Sequence, residues 1–136
     1  MAIQYLLDTN TVSHLAKDDT PAITRHFRRL QSSSIAISAV SEGELLYGLA
    51  RRPDATHIAA AVLGFLSGIS ILAWDSNAAR FYGHLRAALQ REGKALGSLD
   101  MMIAAHALAE DAVLVTNDSA FHRIDRLRIE DWTQYP

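Results

Sequence analysis

Four short apolar runs punctuate the chain: IQYLL at 3–7, SIAIS at 34–38, ISILAW at 69–74 and AVLVT at 112–116. Helix-forming stretches separate each from the next. A run that is apolar at consecutive positions reads as a strand buried on both faces, the signature of a parallel sheet covered on each side. Strands alternating with helices predict a three-layer α/β/α domain with a mainly parallel central sheet. LRIEDW at 127–132 is read as a short fifth strand. In such sheets ligands bind beyond the carboxyl ends of the strands. Asp8 follows the first run and Asp118 follows the fourth, so both are expected at one edge.

The intervening segments carry helix signals. TNTVSHLAK forms one helix, and Thr20 followed by Pro21 supplies a cap and first position for AITRHFRRLQ. Ser38 or Ser41 opens a helix through Leu49 and Arg51, and Asp54 caps another running to about Phe65. Asp75 caps a long helix closed by Gly93, and Ser98 caps LDMMIAAHALAE. The uncharged stretch from Ile58 to Trp74 approaches the length of a membrane span. Gly64, Ser67, Gly68 and Ser70 interrupt it, and it is read as a helix end, a turn at LSG and an inner strand.

At 136 residues the chain is expected to be a single domain, 1–136, burying roughly two-thirds of its unfolded surface. The absence of cysteine excludes disulfides and thiolate metal sites and favours a reducing cytoplasm. The first residues lack a basic segment and a cleavage site, which argues against secretion. A net charge of −2 excludes a uniformly basic nucleic-acid surface. The basic residues are nevertheless clumped, as Arg25, Arg28 and Arg29, as Arg51 and Arg52, and as Arg86, Arg91 and Lys94.

Four acids stand at strand ends or helix starts: Asp8, Glu44, Asp100 and Asp118. Each has a purely structural reading. Asp8 suits an N-cap, with Thr9 and Asn10 placed to orient it. Ser41 and Glu44 have capping-box spacing. Asp100 lies in a first helical turn, where a negative charge gains about 0.3–1 kcal/mol, and Asp118 follows Asn117 in a turn. A helical wheel leaves open whether Glu42 or Glu44 matters, since Glu42 overlies the Leu45, Leu46 and Leu49 stripe. Grouped, the acids change character. Two carboxylates about 4 Å apart repel by roughly 4 kcal/mol at an effective dielectric near 20, so a cluster takes up protons or binds cations. Oxygen donors without cysteine suit Mg²⁺ or Mn²⁺, which complete their shells with water and phosphate oxygens. Such a site fits phosphodiester hydrolysis by an activated water, with rim arginines on flanking phosphates.

With those residues in place, the chain resembles a PIN-domain ribonuclease, and more narrowly a VapC-type toxin of type II toxin–antitoxin systems. The matching segments are LLDTN at 6–10, GELLYGLARR at 43–52, GSLDMMIAAHALA at 97–109, VLVTND at 113–118 and RLRIEDW at 126–132. NDSAFHRI, at 117–124, is one residue shorter than the family's form. The resemblance implies a PIN-like fold and an Mg²⁺- or Mn²⁺-dependent endoribonuclease that cuts structured RNA, often transfer RNA, in single-stranded loops. It chooses Glu44 over Glu42 and assigns Asp8, Glu44 and Asp100 as the principal catalytic and metal-holding acids, with Asp118 completing the set directly or through water. Asn10, Thr116 and Asn117 support them, and Arg51, Arg86 and Lys94 are expected to contact RNA. It also implies a homodimer and a hetero-oligomer with a VapB-like antitoxin whose C-terminal segment wraps the toxin.

His106, in IAAHALA, is read as a packed side chain, and the six histidines lack a zinc-site spacing. Trp74, Phe121 and Trp132 are read as core or edge packing. Two other functions compete. A receiver-like signalling domain would be phosphorylated on Asp8, but it requires a late lysine, and none follows Lys94. A weakly active PIN-like binding module would keep the acids without appreciable turnover.

Overall fold

The computed structural model describes residues 2–134. Five strands form one sheet: β1 (Tyr5–Leu7), β2 (Ile35–Ser38), β3 (Ser70–Leu72), β4 (Val113–Val115) and β5 (Ile129–Glu130). Six helices accompany them: α1 (Thr9–Lys17), α2 (Pro21–Arg29), α3 (Ala39–Ala50), α4 (Thr56–Gly68), α5 (Ser76–Arg91) and α6 (Ser98–Ala109). The strand order is β3-β2-β1-β4-β5, and every neighbouring pair is parallel. The α/β/α expectation holds, including the short fifth strand.

The sheet is covered on both faces because its strands are apolar on both. Along β1 the pleat sends successive side chains to opposite sides. Leu6 joins a core with Leu114, Leu85, Leu89 and Ile103, on the side of α5 and α6. Leu7 joins the opposite core with Val12, Ile23, Ile37, Val62 and Trp132, on the side of α1, α2 and α4.

Several helix boundaries differ from the sequence reading. The cap before α4 is Ala55, which makes no side-chain capping bond, so Asp54 does not play that part. The helix continues to Gly68, and LSG is its last turn where a turn between elements was expected. β3 is correspondingly only three residues long. Gly97 stands at the N-cap of α6 and Ser98 is its first residue, so Ser98 does not cap it. Thr20 occupies the cap of α2 without a capping bond, its hydroxyl donating to Asp19 Oδ1 at 2.9 Å. Ser38 opens α3, accepting from the Val40 N–H at 3.1 Å. Asp75 caps α5 through the Ala78 N–H at 3.1 Å, and Gly93 takes φ of +68° just beyond its end, as expected of a C′ glycine. No helix among the described residues is long and apolar enough to cross a membrane.

The order β3-β2-β1-β4-β5 has one consequence for function. The chain lays β1, β2 and β3 outward in one direction, then returns to place β4 on the other flank of β1. The boundary between β1 and β4 is therefore a topological switch point, where connections leave in opposite directions and open a crevice at the carboxyl edge. A receiver-like sheet has the order 2-1-3-4-5, so the observed topology overturns that reading of Asp8.

Leu114, on a central strand, is 0% exposed, whereas Leu63 on α4 is 50% exposed. Leu114→Ala is expected to lower unfolding free energy by about 2–5 kcal/mol. Leu63→Ala should change it by less than about 0.5 kcal/mol. Denaturant titration of both variants checks this, and equal effects would contradict the assigned core.

A candidate acidic active site at the switch point

The register of β1 and β4 pairs Leu7 with Val115, so Asp8 and Thr116 leave the sheet side by side. The Asp8 N–H donates to the Val115 carbonyl at 3.0 Å, extending the ladder by one bond. Asp8 is buried at 5% exposure. It caps α1, its Oδ1 accepting from the Thr11 N–H at 2.8 Å. Capping and a place in the site are thus compatible. Thr11 also donates its hydroxyl to the Val115 carbonyl at 3.2 Å, locking the start of α1 to β4.

Glu44 reaches the same place from α3. The Thr9 hydroxyl donates to Glu44 Oε1 at 2.6 Å across 35 residues of sequence. Glu44, and not Glu42, thus lines the cavity beside Asp8. The bond also corrects the part expected of Thr9, whose hydroxyl holds Glu44 and not its neighbour Asp8. The capping-box alternative does not form either: Ser38 is the cap, and the buried Ser41 hydroxyl has no hydrogen-bond partner. No local signal points to Thr9, because its partner lies on another helix.

Asp100 projects from the first turn of α6. Asp118 follows β4, with its N–H donating to Thr116 Oγ1 at 3.0 Å and its Oδ1 accepting from the Ala120 N–H at 2.9 Å. The latter bond caps a 3₁₀ turn over Ser119–Arg123. Asp8, Glu44, Asp100 and Asp118 line one cavity of about 110 Å³ together with Thr9, Asn10, Ile103 and Phe121. Phe121 and Ile103 are almost wholly buried and give it an apolar floor. Thr116 is buried beneath Asp118, whereas Asn117 is exposed and outside the cavity lining.

The electrostatics report the same convergence. Burial, followed by the charges of Asp118, Glu44 and Asp8, holds the Asp100 carboxyl above the ordinary aspartate value. The charges of three acids from separate segments thus bear on Asp100. All the charged donors are hard oxygens, which fits a divalent cation such as Mg²⁺ or Mn²⁺. Among the described residues, no three His, Asp or Glu side chains are drawn tightly enough together to cage an ion unaided.

The basic residues divide. Arg51 lines a second cavity, of about 190 Å³, with Lys17, Arg52, Leu49 and Val62, and Glu44 belongs to the walls of both cavities. The Arg51 guanidinium lies over the Tyr47 ring, 5.1 Å from its centroid. Lys17 was not singled out by sequence; only the docking of α1 beside α3 and α4 brings it to Arg51. Arg86 instead donates to the Tyr82 hydroxyl at 2.9 Å, and Lys94 donates to the Arg123 carbonyl at 3.1 Å. Neither lines either cavity.

Asp100 yields a pH prediction. Its raised value disfavours ionisation in the folded chain, so the penalty is full above that value and fades as pH falls towards the unfolded value of 3.8. In chelator at neutral pH, Asp100→Asn is expected to melt above the wild type. The gap should close as the solution is acidified. A variant melting below the wild type across the whole range would contradict the reading.

Comparison with known proteins places this geometry in a family. The family model of the PIN domain matches residues 5–127. The tRNA(fMet)-specific endonuclease VapC of Salmonella typhimurium is 38% identical over 131 residues, covering 96% of this chain and 98% of that protein. The protein of the same name from Shigella flexneri is 36% identical over 132 residues, covering 96% and 99%. Among solved structures, DNA-bound VapBC from Salmonella typhimurium superposes with a TM-score of 0.88 at 38% identity, covering 96% of this chain and 98% of that one. VapBC2 from Rickettsia felis, bound to a promoter DNA fragment, gives 0.86 at 32%, covering 94% and 98%. The chain belongs to the PIN-domain family, within its VapC group.

Proposed function

We propose that this chain is a divalent-metal-dependent endoribonuclease acting as the toxin of a toxin–antitoxin pair. The observation that carries the reading is the gathering of Asp8, Glu44, Asp100 and Asp118 around one cavity at the sheet's switch point. The similarity to relatives named VapC endonucleases or ribonucleases supports the RNA-cleaving class.

In this reading the four acids hold Mg²⁺ or Mn²⁺ against their mutual repulsion. The bound ion would supply charge neutralisation at the scissile phosphate and a lowered pKa for the attacking water. The remaining work belongs to the chain. Thr9 fixes the direction of Glu44, and the Asp8 cap fixes the carboxylate of Asp8. Thr116 holds the backbone of Asp118. Ile103 and Phe121 keep water from the cavity floor, which strengthens every charge interaction above them. Lys17, Arg51 and Arg52, in the cavity sharing Glu44, neutralise flanking phosphates. Attack by water leaves a 5′-phosphate and a 3′-hydroxyl, with no covalent enzyme intermediate.

The substrate is a structured RNA cut in a single-stranded loop. Transfer RNA is the first candidate, since close relatives are named for tRNA(fMet). The partner is a VapB-like antitoxin, supported by neighbours solved as VapBC complexes. Its C-terminal segment wraps the toxin, and the groove of Leu45, Leu49, Ile58 and Val62 between α3 and α4 suits an apolar peptide. Assembly proceeds through a homodimer, with the whole chain acting as one domain.

Purified toxin should cleave transfer RNA with Mn²⁺ and not with EDTA. Asp8→Ala or Asp100→Ala should reduce the rate at least about 100-fold, beyond the 10–100-fold typical of residues that only support metal ligands. Full activity in both variants would defeat the assignment. Removal of the ion is expected to lower the melting temperature of the wild type and to leave that of Asp100→Asn nearly unchanged. Equal shifts in the two proteins would place the ion elsewhere.

A further inference from the structure

Two of the proposed metal-holding acids sit on helices that the chain connects only distantly. Glu44 is on α3 and Asp100 on α6. Between these helices lies a buried polar contact that the proposed chemistry does not use. His106 of α6 is 1% exposed and Ser38 is 0% exposed. His106 Nδ1 and Ser38 Oγ are 2.8 Å apart, across 68 residues of sequence.

Ser38 is placed to transmit force. It is the last residue of β2 and the N-cap of α3, and its Oγ also accepts from the Val40 N–H. A hydroxyl has one donor and two acceptor sites, so Ser38 serves the cap and the imidazole together. The contact therefore fixes where α3 begins relative to α6. Glu44 lies six residues into α3 and Asp100 six residues before His106, so both carboxylates are carried by the tethered helices. The other fixation of Glu44 is the Thr9 hydroxyl, which ties it to α1 and not to α6. Burial lowers the His106 pKa, with the charges of Glu110 and Asp75 opposing the shift.

We propose that His106 is a positioning residue, holding α3 against α6 through Ser38 so that Glu44 and Asp100 keep the separation a shared divalent ion requires. This rests on the metal-dependent reading of the acidic site. The like charges carried by α3 and α6 repel, and a buried directional hydrogen bond between them resists their separation. Without an ion the tether limits opening of the cavity. With one it reduces the reorganisation needed for binding.

The test compares wild type with His106→Leu, which keeps bulk and removes the bond, His106→Asn, which restores a polar group near Nδ1, and Asp100→Asn. Mn²⁺ affinity is read by calorimetry on the full chain, alongside the Mn²⁺ concentration for half-maximal cleavage and the KM for RNA. The proposal expects the Mn²⁺ Kd of His106→Leu to rise about 10-fold, as for residues that orient metal ligands. Half-activation should shift with it, KM should stay unchanged, and His106→Asn should recover most of the loss. A merely structural histidine would lower the melting temperature and leave the Kd of the folded protein at the wild-type value, which overturns the proposal. Should His106→Leu fail to fold, Ser38→Ala cuts the same bond from its other end. An unchanged Mn²⁺ Kd in that variant would also overturn the proposal. If Asp100→Asn keeps wild-type Mn²⁺ binding and cleavage, the metal-site reading itself falls; if it loses both while His106→Leu is normal, only the tether falls.

Discussion

Repulsion among carboxylates is the constraint around which the rest of this structure is arranged. Acids from β1, α3, α6 and the end of β4 meet at one cavity, and Asp100 registers the negative charge of the other three. Such a cluster is tolerated where protons are taken up or positive charge faces it. Two helices begin there, α1 capped by Asp8 and α6 with Asp100 in its first turn. The unpaired N–H groups and aligned dipoles of their N-termini place partial positive charge towards the acids. The helix-end positions of Asp8 and Asp100 are thus part of what lets the acids coexist. What the helix ends leave uncompensated is the charge that a divalent ion would neutralise in the proposed function.

The sheet supplies the geometry. A switch point between β1 and β4 is where an α/β fold opens a crevice, and the parallel register brings Asp8 and Thr116 out at one level. The two apolar cores, one on each face, hold the strand ends in register. Two side chain–side chain hydrogen bonds between residues far apart in sequence, Thr9 to Glu44 and His106 to Ser38, both act on α3. That helix carries the acid whose approach the sheet does not dictate.

What the sequence makes legible follows from the range of the interactions involved. Asp8 and Asp118 can be placed at one edge because strand ends and parallel pairing are local patterns with a general topological rule behind them. Asp100 is marked by its position in a first helical turn. Glu44 is not legible from pattern alone, since a wheel gives Glu42 an equal claim and the deciding contact, from Thr9, is 35 positions away. Family resemblance points to Glu44, the glutamate that lines the cavity with Asp8. The misplaced caps have a different cause: Asp54 and Ser98 are good capping residues, yet packing starts α4 at Thr56 and α6 at Ser98, leaving Ala55 and Gly97 in the cap positions. The LSG segment reads as a turn by composition, while burial of Leu66 keeps it helical to Gly68. Lys17 enters the basic cavity only through helix docking, and Arg86 and Lys94 are committed to Tyr82 and the Arg123 carbonyl.

The central claim is that acids distant in sequence form a single divalent-ion site. Crystals grown with Mn²⁺ and measured at the manganese absorption edge test it most directly. The account predicts an anomalous peak within coordinating distance of Asp8 and at least one of Glu44, Asp100 and Asp118, lost in Asp8→Asn crystals. Manganese found only at other surfaces, with these four carboxylates unliganded, would contradict it.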